Sequence, residues 1–337
     1  MKNILYIGNK LAAKGRTATT IDVLGPLLQK EGYQVRYASS IRNISKRMLH
    51  MMRMTYINRK WANVVLIDTY STKNFWYAIT ISRLCRSLKI KYIPILHGGN
   101  LPNRITKNPK AIHAYLENAH AIVSPSEYLI SAFAKAGYHN LTKINNFIEL
   151  DSYPFQERAI NTPKLLWVRS FAQIYHPEMA IKVFESIKNK YPAATLTMVG
   201  PEKDGSLERC KMLAKKLQLE IKFTGLLAKK AWIKLSENNN IFLNTTHFDN
   251  LPVSLIEAMA LGLPVVSTDV GGISYLIEND KNGKLVPDND RDKMVCAIEE
   301  LISQQEHSQA IIRNARETAS FYSWRTVRHK WNALLQS

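Results

Sequence analysis

Cysteine is scarce in this chain: only Cys85, Cys210 and Cys296, an odd number with no CxxC pair. That excludes a disulfide framework and a thiolate zinc site, and a reducing, cytoplasmic setting is expected. Long apolar runs are missing too. The most apolar stretch, 253–266, is interrupted by Glu257, Gly262 and Pro264, so nothing approaches the ~20 apolar residues of a membrane-spanning helix. The N-terminus passes from Met1-Lys2-Asn3 straight into Ile4-Leu5-Tyr6-Ile7, a strand pattern too short for an export signal. Acidic residues are rare in the first half. Residues 1–150 hold 22 Lys and Arg against 6 Asp and Glu, a net +16, whereas residues 151–337 hold 24 against 21, a net +3. This asymmetry points to an anionic partner of the first half, a membrane leaflet or a nucleic acid. No G-x-G-x-x-G fingerprint follows the first strand pattern, which argues against nicotinamide and flavin cofactors.

What is present fits a folded two-domain protein: 337 residues, 46% hydrophobic and 22% charged, where roughly 100 to 200 residues make one domain. Short apolar runs alternate with amphipathic helical stretches, the pattern of strand–helix–strand crossovers and parallel sheets, so the fold class is α/β. Strands are expected at 2–7, 34–38, 64–68, 91–96 and 121–124, then at 164–168, 194–199, 221–224, 241–244 and 264–267. Helices are expected at 19–31, with a kink at Gly25-Pro26, at 75–89, 177–190, 207–217, 229–238 and 252–261. The polar, proline-bearing segment 149–163 reads as a linker, which divides the chain into domains 1–156 and 157–318.

Ligands of open parallel sheets bind beyond the carboxyl ends of the strands, and the most informative such segment runs from His247 to Val266. It is a loop carrying Asp249, then Asn250-Leu251-Pro252, a helix containing Glu257, and Gly262 closing that helix before an apolar strand. The unpaired N–H groups of a helix start hold oxygen-rich anions. Two carboxylates bracketing that start suit the hydroxyls of a ribose and a sugar, with a diphosphate between them.

This segment resembles glycosyltransferase family 4, a group of retaining enzymes of the GT-B fold with two Rossmann-like domains facing an interdomain cleft. The family's Glu-x7-Glu motif followed by Ala-Met-Ala-x-Gly-x-Pro-Val-Val is matched from Glu257 through Val266, with Asp249 in place of the first Glu. The resemblance implies a ribose contact for Glu257 and a sugar contact for Asp249. It also implies a donor-diphosphate role for Arg169 in Leu165-Leu166-Trp167-Val168-Arg169-Ser170-Phe171. A cation on the leaving diphosphate stabilises the charge that develops there. The Lys that follows this Arg in the family is absent; Tyr175 and His176 stand in its region, and Lys14 or Arg16 would have to supply the charge.

Further candidates follow from strand ends. Tyr92-Ile93-Pro94-Ile95-Leu96 delivers His97-Gly98-Gly99-Asn100, where the glycines admit a ligand and the His can bond an acceptor hydroxyl. Gly15 lies in a loop before a helix and suits an anion. Val199-Gly200-Pro201, Thr224-Gly225-Leu226, Ser124-Pro125-Ser126-Glu127 and Asp269-Val270-Gly271-Gly272 have family counterparts; the resemblance places the nucleotide base near Gly225 and Leu226 and the donor against Gly200. The tail, 319–337, resembles the family's closing helix that crosses back to the N-terminal domain.

Residues 41–61 interleave Arg42, Lys46, Arg47, Arg53, Arg59 and Lys60 with apolar side chains, as a helix lying on an anionic membrane would. The expectation is therefore a retaining transferase that moves a sugar from a UDP- or GDP-sugar to a glycan or lipid-linked acceptor in cell-envelope polysaccharide or glycolipid synthesis. It would act in the cytoplasm or on the inner membrane face. No cofactor, metal or nucleic acid is expected, since the nucleotide-sugar is a substrate and the family needs neither metal nor dedicated base. Two rival readings are a sugar-nucleotide 2-epimerase of the same fold and, on charge alone, a nucleic-acid-binding protein.

Overall fold

A computed structural model describes residues 2–14 and 18–337. It separates into two compact units, Met1–Asn145 with Lys330–Ser337, and Asn146–His329.

The first unit holds β1 (Asn3–Ile7), β2 (Gln34–Ala38), β3 (Val64–Thr69), β4 (Tyr92–Leu96), β5 (Ile122–Ser124) and β6 (Leu141–Lys143) in the order β2-β1-β3-β4-β5-β6. Neighbouring strands are parallel. β3 and β4 are buried along their whole length, as expected of central strands covered by helices on both faces, and the buried end of β3 carries the polar Asp68 and Thr69. Helix Thr20–Lys30 passes through Pro26 as one element and opens with a capping box between Thr19 and Asp22. Helix Ile44–Ile57 turns Arg47, Met51 and Thr55 inward at a spacing of four.

The second unit holds β7 (Lys164–Val168), β8 (Thr195–Val199), β9 (Lys222–Phe223), β10 (Ile241–Asn244), β11 (Val265–Thr268) and β12 (Lys284–Val286), ordered β12-β11-β10-β7-β8-β9 and again parallel. The two units thus turn back at different places. The strand order reverses between β1 and β3 in the first unit and between β7 and β10 in the second, and crevices at such reversals are where α/β sheets take ligands.

Segment 149–163 packs inside the second unit. Arg158 is buried, and its guanidinium donates to the Ser236, Asn239 and Leu261 carbonyls at 3.0, 2.7 and 3.2 Å. Burial pulls its pKa down to about 10, which leaves it charged at neutral pH. The last helix, Trp324–Gln336, ends in the first unit, where Leu335 is buried and Asn332 donates to Glu31.

Candidate functional site

At the β7/β10 reversal the loop after β7 presents Arg169 and the loop after β10 presents Asp249. The two side chains form an ion pair, each largely withdrawn from solvent. The Arg169 guanidinium also lies 4.6 Å from the centre of the Tyr175 ring. Burial lowers its pKa, while Tyr175 and Glu257 act in the opposite direction. Tyr175, at the position where the family's Lys was missed, therefore supports the Arg as a ring.

Two backbone contacts fix this pair. Gly200 has φ +153°, and a Cβ there would sit 1.6 Å from the Arg169 carbonyl oxygen, so no larger residue lets the two loops pass. Gly271 has φ +59° with the Asp249 carbonyl 2.0 Å from its would-be Cβ, and the next N–H, of Gly272, donates to that carbonyl at 2.9 Å. The Asp269-Val270-Gly271-Gly272 match is thus a backbone cradle for Asp249.

Helix Val253–Ala260 follows Asn250, Leu251 and Pro252, with Pro252 at its N-cap and Gly262 just past its end. Leu255, Ile256, Ala258, Met259 and Ala260 are buried among Leu166, Phe242 and Val265, which anchors the helix start at the sheet edge. Glu257 is 5% exposed. It accepts a 2.7 Å hydrogen bond from the Tyr153 hydroxyl and forms an ion pair with Lys229. Burial and the neighbouring carboxylate together drive the Tyr153 pKa far up. At the helix start Ser254 Oγ is buried with no hydrogen-bond partner among the described residues. An orphaned hydroxyl in that position is a ready donor to an oxyanion. Leu251 is held by Asn146, whose amide donates to its carbonyl at 3.1 Å. Gly225 accepts from the Gly200 N–H at 2.9 Å, and Leu226 beside it is 48% exposed.

Of the residues expected from the sequence, Arg169, Asp249 and Gly200 meet ahead of helix Val253–Ala260, and Glu257 inside that helix acts on Arg169. The sequence reading missed Lys229, Tyr153 and Ser254. The first opens the helix that follows the Thr224-Gly225-Leu226 loop, a position that could have drawn notice; Tyr153 lies 104 residues from its partner and left no local trace. Gly15 and Arg16 lie outside the described residues, as does the side chain of Lys14.

In the first unit His97 ends β4. Its Nε2 is 2.8 Å from Oδ1 of Asp68, a fully buried carboxylate that also accepts the Tyr6 hydroxyl at 3.0 Å. The Tyr70 ring lies 5.3 Å from the imidazole and Thr20 Oγ1 is 3.4 Å from Nδ1. With Nε2 committed to Asp68, Nδ1 is the ring nitrogen turned toward Thr20. Gly98 and Gly99 are half-buried beyond it, and Asn100 bonds the Asn103 amide. Asp68 was read only as a strand end, yet it is the residue that fixes the ring.

The basic segment is corrected at one position. Arg47 is 6% exposed, its guanidinium donating to the Ile41 and Arg42 carbonyls at 3.1 and 3.4 Å, so it braces the helix start from inside instead of facing a surface. Arg42, Lys46, Arg53 and Lys60 are exposed, and Arg59 stacks on Tyr56.

Residues 152–318 match the model of the family described as Glycosyl transferases group 1, and this unit of the chain belongs to that family. An uncharacterized glycosyltransferase of Haemophilus influenzae is 28% identical over 156 residues, 46% of this chain and 44% of that protein. The amylovoran biosynthesis glycosyltransferase AmsK of Erwinia amylovora is 26% identical over 253 residues, 67% of this chain and 59% of that protein. The chain thus spans less than two thirds of these relatives. Among solved structures, Anabaena HepE in complex with UDP-glucose superposes with a TM-score of 0.79 over 100% of both chains at 16% identity, a shared GT-B fold. Among the described residues no helix is long and apolar enough to cross a membrane.

Proposed function

We propose that the protein is a retaining glycosyltransferase that moves a sugar from a nucleoside-diphosphate sugar, bound by the second unit, to a glycan or lipid-linked acceptor of cell-envelope polysaccharide synthesis, bound by the first. The observation that carries this reading is a pair of ion contacts about helix Val253–Ala260, Arg169 with Asp249 in the loop before it and Lys229 with Glu257 inside it, with Glu257 close enough to act on Arg169. Glu257 would take the ribose hydroxyls and Asp249 the sugar. The N–H groups of Val253 and Ser254, with the Ser254 hydroxyl, would hold the diphosphate. Arg169 would stabilise the charge that grows on the leaving phosphate, and Lys229 is the cation we assign to the charge missing after Arg169. With fixed cations at that phosphate, transfer needs no metal there, and the phosphate oxygen would take the acceptor proton. The complex of HepE with UDP-glucose supports a UDP-sugar as the first donor to try; AmsK, named for a polysaccharide pathway, supports the acceptor class.

The exposed stripe of helix Ile44–Ile57 supports a membrane-bound setting. Lys46, Leu49, Arg53 and Tyr56 recur at helical spacing and are exposed, placing apolar and cationic groups on one side as an anionic lipid surface would require.

Thermal melts with UDP-, GDP- and ADP-sugars test the donor site, because a ligand of the native state raises its apparent stability. The expected result is a rise with one nucleotide that is lost in Glu257→Ala. Stabilisation by none of the donors would overturn the site assignment, and turnover of the donor alone to its epimer would overturn the transfer.

A further inference from the structure

We propose that His176, His247 and Asp288 form a site for one divalent cation of the zinc, cobalt or nickel class, which ties together three loops at the carboxyl edge of the second sheet. His176 precedes helix Pro177–Lys190, His247 lies three residues past β10, and Asp288 two past β12. Each offers one ligand atom, and the three atoms lie within 4.8 Å of one another. Nothing in the separations of 71 and 41 residues resembles a metal motif; only the fold brings them together.

The arrangement is preorganised. The His247 N–H donates to the Ile174 carbonyl at 2.9 Å, Thr246 Oγ1 donates to the same carbonyl at 3.1 Å, and Thr245 Oγ1 lies 2.9 Å from the Tyr175 and His176 carbonyls. The loop before helix Pro177–Lys190 is therefore clamped to the loop after β10. His176 sits in the left-handed region at φ 43° and ψ 55°, a conformation that a residue with a Cβ adopts mainly where surrounding contacts impose it. Its ring stacks on His247 with centroids 4.3 Å apart, and His176 Nδ1 is buried with no hydrogen-bond partner among the described residues. Two imidazoles in face contact gain little from each other. A cation shared by both, with a carboxylate, would draw the partly exposed His247 ring out of the stack, since nitrogen lone pairs lie in the ring planes, and would give His176 Nδ1 the partner it lacks among the described residues.

Donor chemistry selects the ion. Two ring nitrogens and one carboxylate oxygen suit zinc, cobalt or nickel, whereas magnesium and calcium prefer all-oxygen shells. Three protein ligands leave a position for water. His247 Nδ1 already lies 2.9 and 3.1 Å from the two Asp288 oxygens. These two side chains are 36% and 38% exposed, so they can turn to close the last ångström around an incoming ion. The neighbouring Asp290 is engaged elsewhere, capping helix Arg291–Ser303 through the Lys293 N–H at 2.9 Å. His247 stands two residues before Asp249, so the cation would brace the loop that presents this carboxylate without touching the reacting atoms.

The test uses the full chain stripped of metal by chelation. Cobalt is titrated and followed by visible absorption, and zinc is titrated in competition with a chromophoric chelator. The expected result is one equivalent bound per chain, a rise in melting temperature with zinc but not magnesium, and at least tenfold weaker binding in His176→Ala and Asp288→Asn. Asp288→Asn keeps shape at an exposed position and guards against a variant that merely misfolds. Absence of saturable one-equivalent binding, or binding unchanged in both variants, would overturn the proposal. The readouts are metal affinity and stability, so failure of the donor assignment leaves them unaffected.

Discussion

The two units share a plan, six parallel strands with helices between, and arm it differently. The second places charged side chains in pairs at its strand reversal, Arg169 with Asp249 and Lys229 with Glu257. The first places one imidazole after β4, held by a buried carboxylate of β3 that also accepts a tyrosine hydroxyl. Ion pairs at a site edge can exchange partners when a charged ligand arrives, whereas a buried Asp–His contact fixes one ring orientation and one proton position. The contrast matches the division of labour proposed above: a multiply charged donor on one unit, a single hydroxyl to be oriented on the other.

The largest effect that would break this contrast is expected at Arg169. Arg169→Ala should lower the transfer rate about 100- to 1000-fold, the usual loss when one donor to a developing oxyanion is removed; a loss confined to donor KM would instead make Arg169 a ground-state anchor. Asp68→Asn should act on the other partner. It keeps shape but releases the ring, so kcat should fall about tenfold while donor-induced thermal stabilisation stays unchanged. Loss of donor binding in Asp68→Asn would erase the distinction between the units. Lower on the scale, Lys46→Glu and Arg53→Glu should each weaken binding to anionic vesicles about fivefold or more, in line with roughly 1 kcal/mol per cation near such a surface. Vesicle affinity equal to that of the parent chain would remove the membrane reading.

The smallest expected effect is a thiol count. Burial pushes Cys85 and Cys210, one in each unit, up to about 12, while Cys296 is exposed. One thiol of three should therefore react with a disulfide reagent in the native protein and all three after denaturation.

Legibility in the sequence followed the same division. In the second unit β7, β10 and helix Pro177–Lys190 lie where periodicity puts them, because their apolar runs are long and bounded by polar or proline signals. β6 and β12 were not anticipated; each is three residues long and carries a lysine, so no apolar run marks it. Arg169, Asp249 and Glu257 were readable because each follows a strand or sits in a dense motif. Lys229, Tyr153, Asp68 and the His176–His247–Asp288 group were not, since their meaning lies in contacts across 28 to 112 positions of chain that no local pattern encodes. Arg47 was misassigned for a related reason: composition counts cations, but only the helix phase decides which of them points inward.

One consequence concerns the order of events at the donor site. Glu257 is paired with Lys229, whose side chain is about half exposed. On the proposed reading an arriving ribose competes for that carboxylate, and the lysine it displaces becomes available to the diphosphate a few bonds away. The nucleotide would thus unlatch the cation that then helps its own leaving group depart, so that a nucleoside without phosphates would have to disrupt the latch and gain no compensating contact. Discrimination against bare nucleosides would then arise from the Lys229–Glu257 latch as well as from the contacts made to the phosphates.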